Sequence, residues 1–309
     1  MKDHIHFITK DGFIFTTKGD IHDEQYVRSA ALYRASTSGK RELCGINYEK
    51  EIDELGTGWL RKAKLDYCVR DEIGPRILVP TKDITDIFDP FSVFEFVKWK
   101  TKDTQWKQLV DELEKIFPRE DIGFIGSYLI GFPSLDSDLD IVIRGKDNLA
   151  IAKQEIDNLR SRLGAVQVLD SWREEVSLKK YHAVFNSDFN DFMEMIKRRW
   201  STIRTSEFML KLRFAYKYHE IPSPTFRHSQ GERTIIGNVL VDDGVNFMPR
   251  VFTLMGNDHK IYQVFTYFWD YSFCVTNGDR VSVKASLFDE NKLLLKEPKE
   301  HGIRFIHEN

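Results

Sequence analysis

The segment from Ile122 to Ile143 constrains the fold more than any other part of this 309-residue chain. Ile122-Gly123-Phe124-Ile125 is an apolar strand start that runs into Gly126-Ser127. Ten residues later, Asp138-Leu139-Asp140 opens a second apolar run, Ile141-Val142-Ile143, which Gly145 closes. Successive side chains of a strand point to opposite faces. Asp138 and Asp140 therefore project together, while Leu139, Ile141 and Ile143 share the other face and can be buried.

Two parallel carboxylates repel one another unless a cation lies between them, and their hard oxygens suit Mg²⁺. Gly-Ser at a strand end lets backbone N–H groups and a hydroxyl approach a phosphate at a helix N-terminus. Together these parts describe a metal–triphosphate site, where two metal ions can clamp the attacking and leaving oxygens of an in-line displacement. The spacing of Gly123, Gly126 and Gly131 fits neither a dinucleotide-binding fingerprint nor a P-loop.

The stretch resembles the signature of the DNA polymerase β-type nucleotidyltransferase superfamily: apolar-Gly-Ser, about ten residues, then Asp-apolar-Asp-apolar. The resemblance implies an NTP substrate, with Gly126 and Ser127 as nucleotide contacts. It implies Asp138 and Asp140 as catalytic ligands of Mg²⁺ (or Mn²⁺). Gly12-Phe13-Ile14-Phe15, Lys18-Gly19 and Leu32-Tyr33-Arg34, with Val239–Asp243 and Phe247-Met248-Pro249, are similar to parts of a family of predicted archaeal nucleotidyltransferases. That family has a polymerase β-like region between small flanking β segments and supplies a class, not a substrate.

One position departs from the superfamily pattern. A third carboxylate normally sits on a later strand as apolar-Asp-apolar-Arg, and the best match here is Leu210-Lys211-Leu212-Arg213. Glu207, four residues before Lys211, is the candidate substitute; Asp170 and Asp188 come next. A third acid would help bind the catalytic metal and accept the proton of the attacking hydroxyl. Lys211 and Arg213 share a strand face and are expected to hold the triphosphate or an acceptor's phosphates. Between Lys197 and Lys217 seven basic residues face the single acid Glu207. Arg198, Arg199 and Arg204 in that run are the candidate acceptor contacts, against the alternative of a solvated face.

Around this segment the pattern predicts an α+β chain in three parts. Residues 1–85 read as a small β-rich domain, with Asp11-Gly12 as a hairpin turn between His6–Ile8 and Phe13–Phe15. Residues 86–222 read as the nucleotidyltransferase domain, with helices over 103–117, 150–163 and 188–200 and strands at 122–125, 139–143, 166–169 and 208–214. Residues 223–309 read as a barrel-like domain of five strands, at 235–241, 246–254, 260–269, 280–287 and 303–306. The aromatic run Phe265–Phe273 is a candidate base-stacking platform, but alternation favours burying Phe265, Tyr267 and Trp269 in a core. His4 and His6 lack a third nearby ligand and read as surface residues.

Charges nearly cancel, 45 Lys+Arg against 48 Asp+Glu, which excludes a whole-molecule positive field for nucleic acid but not a local basic face. Three scattered cysteines argue against a zinc ribbon or a disulfide framework and for a reducing compartment. With no signal-like or membrane-spanning apolar run, a soluble cytoplasmic protein is expected. The expected activity is Mg²⁺-dependent transfer of an NMP group from an NTP, with ATP among the candidates, and pyrophosphate release. An RNA end is slightly favoured as acceptor over a protein or small molecule. The alternative is a catalytically degenerate nucleotide- or RNA-binding protein.

Overall fold

The computed structural model describes residues 1–19, 22–50, 60, 63, 65–92, 104–131, 137–165, 189–205, 209–222, 224–297 and 299–307. They divide between two compact units, one within 1–69, 76–167 and 201–221, the other within 70–75, 168–200 and 222–309. No helix among the described residues is long and apolar enough to cross a membrane.

The first unit, but for residues 70–75, starts with an antiparallel sheet of β1 (His6–Thr9), β2 (Phe13–Thr17), β3 (Tyr26–Ala35), β4 (Arg41–Leu43), β5 (Ile46–Lys50), β6 (Cys68–Asp71), β7 (Gly74–Pro80) and β8 (Ile84–Phe88). The order is β4-β5-β3-β2-β1-β8, with β7 also on β3 and β6 on β7. Gly12 adopts φ +77°, a left-handed conformation that glycine takes without strain, and makes the expected turn. Phe7 thereby faces Phe15 across β1 and β2, and their rings stack at 5.5 Å. Phe13, Val27, Ile77 and Val79 complete that core, while Ile14, Tyr33 and Tyr48 form a second cluster with Ile130.

The same unit holds α1 (Thr104–Glu114), β9 (Ile122–Ile125), β10 (Leu139–Arg144), α2 (Lys146–Arg162), β11 (Thr202–Arg204) and β12 (Met209–Ala215). The sheet order is β11-β12-β10-β9, with β10 and β12 parallel and the other pairs antiparallel. Leu139, Ile141, Ile143, Leu210, Leu212 and Phe214 are buried, as the alternation predicts. The second helix begins at Lys146 rather than at 150. The Glu220 carboxylate accepts the Lys146 N–H at 3.0 Å, satisfying a helix-start donor that sequence periodicity does not reveal. The expected strand at 166–169 lies outside the described residues.

In the second unit, α3 (Phe189–Lys197) buries Phe192, Met193, Met195 and Ile196. The strands are β13 (Ser229–Val241), β14 (Arg250–Gly256), β15 (Ile261–Thr266), β16 (Arg280–Phe288), β17 (Lys292–Leu295) and β18 (Gly302–Phe305). The pairings run β13-β14-β15-β17-β16 and return to β13, so five strands close a barrel, with β15 and β17 parallel. The expected barrel is found, but its membership differs. Lys292–Leu295, which is not among the five expected strands, closes the ring, while β18 adds to β16 outside it. In the aromatic run the strand stops at Thr266 and a turn follows, so burial falls on Phe265, Phe268, Tyr271 and Phe273 rather than on every second residue.

Candidate functional site

Asp140 stands at the centre of the site because β10 is an inner strand. Ile125 of β9 is its partner on one side and Lys211 of β12 on the other. Asp138 immediately precedes β10, and both carboxylates are partly exposed. The parallel register places Lys211 beside Asp140 and Arg213 beside Val142. Lys211 Nζ pairs with Asp138 Oδ2, and Arg213 Nε lies 3.9 Å from Asp140 Oδ1. Cations from β12 thus offset the repulsion between two acids that share a strand face.

Gly126 follows β9 directly and adopts φ +68°. A Cβ at this position would meet Asp140 Oδ2 at 3.2 Å, so only glycine leaves that space to the carboxylate. Its N–H donates to His6 Nε2 at 3.1 Å. This donor is therefore held by the N-terminal sheet rather than presented to a phosphate. Residues 126–131 form turns, with the Gly131 N–H donating to the Tyr128 carbonyl at 3.2 Å. The helix start expected after Ser127 is not found among the described residues. Left-handed backbone at Gly126 and Gly131 bounds these turns, and Leu129 and Ile130 are buried within them, Ile130 in the cluster around Tyr33.

His4 and His6 are not surface residues as expected; both are buried. Residues on both faces of β1 are buried, so alternation along the strand does not mark an outer side. Burial, reinforced by the charge of His4, pulls the His6 pKa down to about 3, which keeps Nε2 free to accept the Gly126 N–H.

The remaining expected site residues are placed as follows. Glu207, Asp170 and Asp188 lie outside the described residues. Ser127 is buried beside Gly126. The basic run is divided, with Arg198 and Arg199 in the second unit and Arg204, Lys211 and Arg213 in the first. Arg198 bonds Glu194 Oε1 through Nε and Nη2 at 3.2 and 3.1 Å, bonds Asp279 through Nη1, and lies 4.3 Å from the Phe305 ring centre. Arg204 ends β11 opposite Met209.

Among the described residues no group of three or more His, Cys, Asp or Glu converges as a metal cage. The donor set that is present suits Mg²⁺ nonetheless. That ion keeps several waters and is typically held by one or two carboxylates plus substrate phosphates. Asp138 and Asp140 are two hard, partly exposed carboxylates already drawn to cationic groups.

Residues 106–204 match the family model of the nucleotidyltransferase domain. The match covers about a third of the chain, includes Gly126, Ser127, Asp138 and Asp140, and supports nucleotidyl transfer in general. No curated protein and no solved structure matches the chain.

Proposed function

We propose that the first unit is a Mg²⁺-dependent nucleotidyltransferase that moves an NMP group from an NTP to an acceptor hydroxyl and releases pyrophosphate. The observation that carries this reading is the meeting of Gly126 with the Asp138–Asp140 pair at one end of β9 and β10, inside the matched segment. Asp138 and Asp140 would hold the metal, which when bound polarises the phosphoryl oxygens and stabilises the leaving pyrophosphate. Gly126 leaves Asp140 its position, and the His6 bond fixes the turn that carries Ser127. Lys211 and Arg213 exchange their carboxylate partners for phosphate oxygens and offset charge developing on them. The acceptor's hydroxyl oxygen bonds the α-phosphorus as the bond from that phosphorus to the α,β-bridging oxygen breaks; pyrophosphate leaves and the hydroxyl proton passes to solvent.

The decisive test incubates the purified chain with α-labelled NTPs and Mg²⁺ or Mn²⁺, with and without an RNA pool. Metal-dependent label on RNA, protein or a small molecule is the expected result, abolished by Asp138→Ala and by Asp140→Ala. Equal transfer by the wild type and both variants overturns the assignment.

One observation favours a second reading, a nucleotide-binding protein without turnover. Lys211 stands in β12 beside Asp140, where the superfamily places its third carboxylate, and it pairs with Asp138. NTP binding with no transfer to any acceptor would decide for this reading.

A further inference from the structure

The N-terminal sheet has one face whose rows end in basic side chains. Across β2, β3 and β5, Ile14 pairs with Tyr33 and Tyr33 with Lys50. In the adjacent row Tyr48 of β5 pairs with Arg41 of β4. Ile14, Tyr33 and Tyr48 are buried in one cluster with Ile130, which belongs to the turn after Gly126-Ser127. Sheet and turn are joined again by the Gly126 N–H donating to His6 Nε2. The face that carries Arg41 and Lys50 is therefore the face on which the nucleotidyltransferase turn is seated.

The electrostatics agree with this placement. Lys50 is in Coulombic reach of Asp140, Lys211 and Asp138, as well as of Arg41. Tyr33 feels both Asp140 and Arg41, and the Arg41 guanidinium carbon lies 5.5 Å from the Tyr33 ring centre. Among the described residues, Arg41, Lys50, Lys211 and Arg213 thus gather about the Asp138–Asp140 pair. Desolvation by burial, and after it the charge of Arg41, lower the Lys50 pKa. Of the components of nucleotidyl transfer, the triphosphate is the one whose oxygens take charge-assisted bonds from an ammonium and a guanidinium.

We propose that Lys50 and Arg41, on a sheet outside the segment matching the nucleotidyltransferase model, bind the triphosphate of the NTP substrate together with Lys211 and Arg213. The inference rests on the NTP-binding part of the function proposed above, not on turnover. An ammonium and a guanidinium on separate strands would grip phosphate oxygens while Asp138 and Asp140 remain available to the metal.

The test measures binding of Mg²⁺·ATP and of tripolyphosphate, which has no base, by calorimetry to the wild type, Lys50→Gln, Arg41→Gln and Lys50→Arg. Each Gln variant is expected to lose about tenfold or more in affinity for both ligands, since each removes a charge-assisted contact. Lys50→Arg should recover most of the loss. Circular dichroism and thermal melting of each variant check that the sheet is intact. Unchanged affinity in folded Lys50→Gln and Arg41→Gln overturns the inference, as does a wild type that binds neither ligand. Loss of affinity in variants of a wild type that binds but never transfers label upholds it, while overturning the transferase reading.

Discussion

Gly126 and Asp140 are so close that a single added carbon on the glycine would lie 3.2 Å from Asp140 Oδ2. The contact comes from antiparallel pairing of β9 and β10, which sets Ile125 opposite Asp140 and makes Gly126 the first residue past that pair. Gly126 also sits at φ +68°, where a non-glycine residue costs about 1–2 kcal/mol. Gly126→Ala should therefore destabilise the protein by about 1–2 kcal/mol in urea titrations. It should also cut metal-dependent NMP transfer by more than about tenfold, because the shift falls on a proposed metal ligand. A variant with wild-type stability and transfer would show that the space is not needed.

Lys211 offers a direct test of the missing acid. Its pair with Asp138 is partly exposed, so its loss should cost no more than about 1 kcal/mol. Lys211→Asp would instead place a third carboxylate beside Asp140. Three like charges repel, so the variant should melt below wild type in EDTA and regain stability with millimolar Mn²⁺ more than wild type does. A melting temperature no more responsive to Mn²⁺ than wild type would mean that the three positions do not share a metal. Transfer gained by the variant and absent from wild type would mark the natural chain as the degenerate form.

Legibility followed the locality of the signal. Asp138-Leu139-Asp140 could be read because strand alternation is local, and the apolar residues around it are buried as that period requires. The hairpin at Asp11-Gly12 was equally legible, since a short turn, here Lys10 to Gly12, fixes its own register. Features that depend on distant partners were not legible. The start of α2 is set by Glu220, more than seventy residues away, and the Gly126 N–H by His6, 120 residues away. Leu293 and Leu294 gave no alternation because both are buried in a parallel pairing with β15. Arg198 looked like part of a basic strip because a sequence does not show that Asp279 and Glu194 would meet it.

Those partners make separable predictions for the basic run. Arg198→Ala should destabilise the chain by about 1–3 kcal/mol, since it removes charge-assisted bonds to Glu194 and Asp279 and a contact with the Phe305 ring. If the acceptor is RNA, Lys211→Gln and Arg213→Gln should each reduce the slope of log affinity against log salt by about 0.7, the value for one single-strand phosphate contact. Arg204→Gln tests the remaining arginine of the first unit in the same way. Slopes unchanged in all three variants, or no RNA affinity at 50 mM salt (an ionic strength of about 0.05 M, where phosphate contacts remain strong), would remove RNA as the acceptor.

The last prediction concerns acid. His6 Nε2 accepts the Gly126 N–H, and His22 Nδ1 accepts the Arg28 N–H at 3.1 Å, so each accepting nitrogen must be unprotonated in the folded chain. Burial is the main cause that pulls His6 down to about 3 and His22 to about 4, with His4 and the N-terminal ammonium adding to it. In the unfolded chain both revert towards 6.5, the ordinary value of histidine. On acidification the unfolded state then takes up protons first, so their contribution to stability is complete above pH 6.5 and is lost as pH falls towards 4. Each group alone gives a slope approaching about 1.4 kcal/mol per pH unit within that window. Asp83, lowered by Lys10, and Asp258, lowered by Tyr262, titrate below 3.8 and do not contribute there. Urea unfolding at pH 7.5, 6.5, 5.5 and 4.5 (steps of about one unit across the shifted range) should show a plateau and then a falling stability. His22→Gln should flatten the fall by about one proton's worth, and His6→Asn, whose amide oxygen can still accept the Gly126 N–H, by another. A wild-type profile level down to pH 4.5, about two units below the unfolded value, would mean that neither imidazole is held neutral, and with it that the His6–Gly126 bond does not anchor the turn at the site.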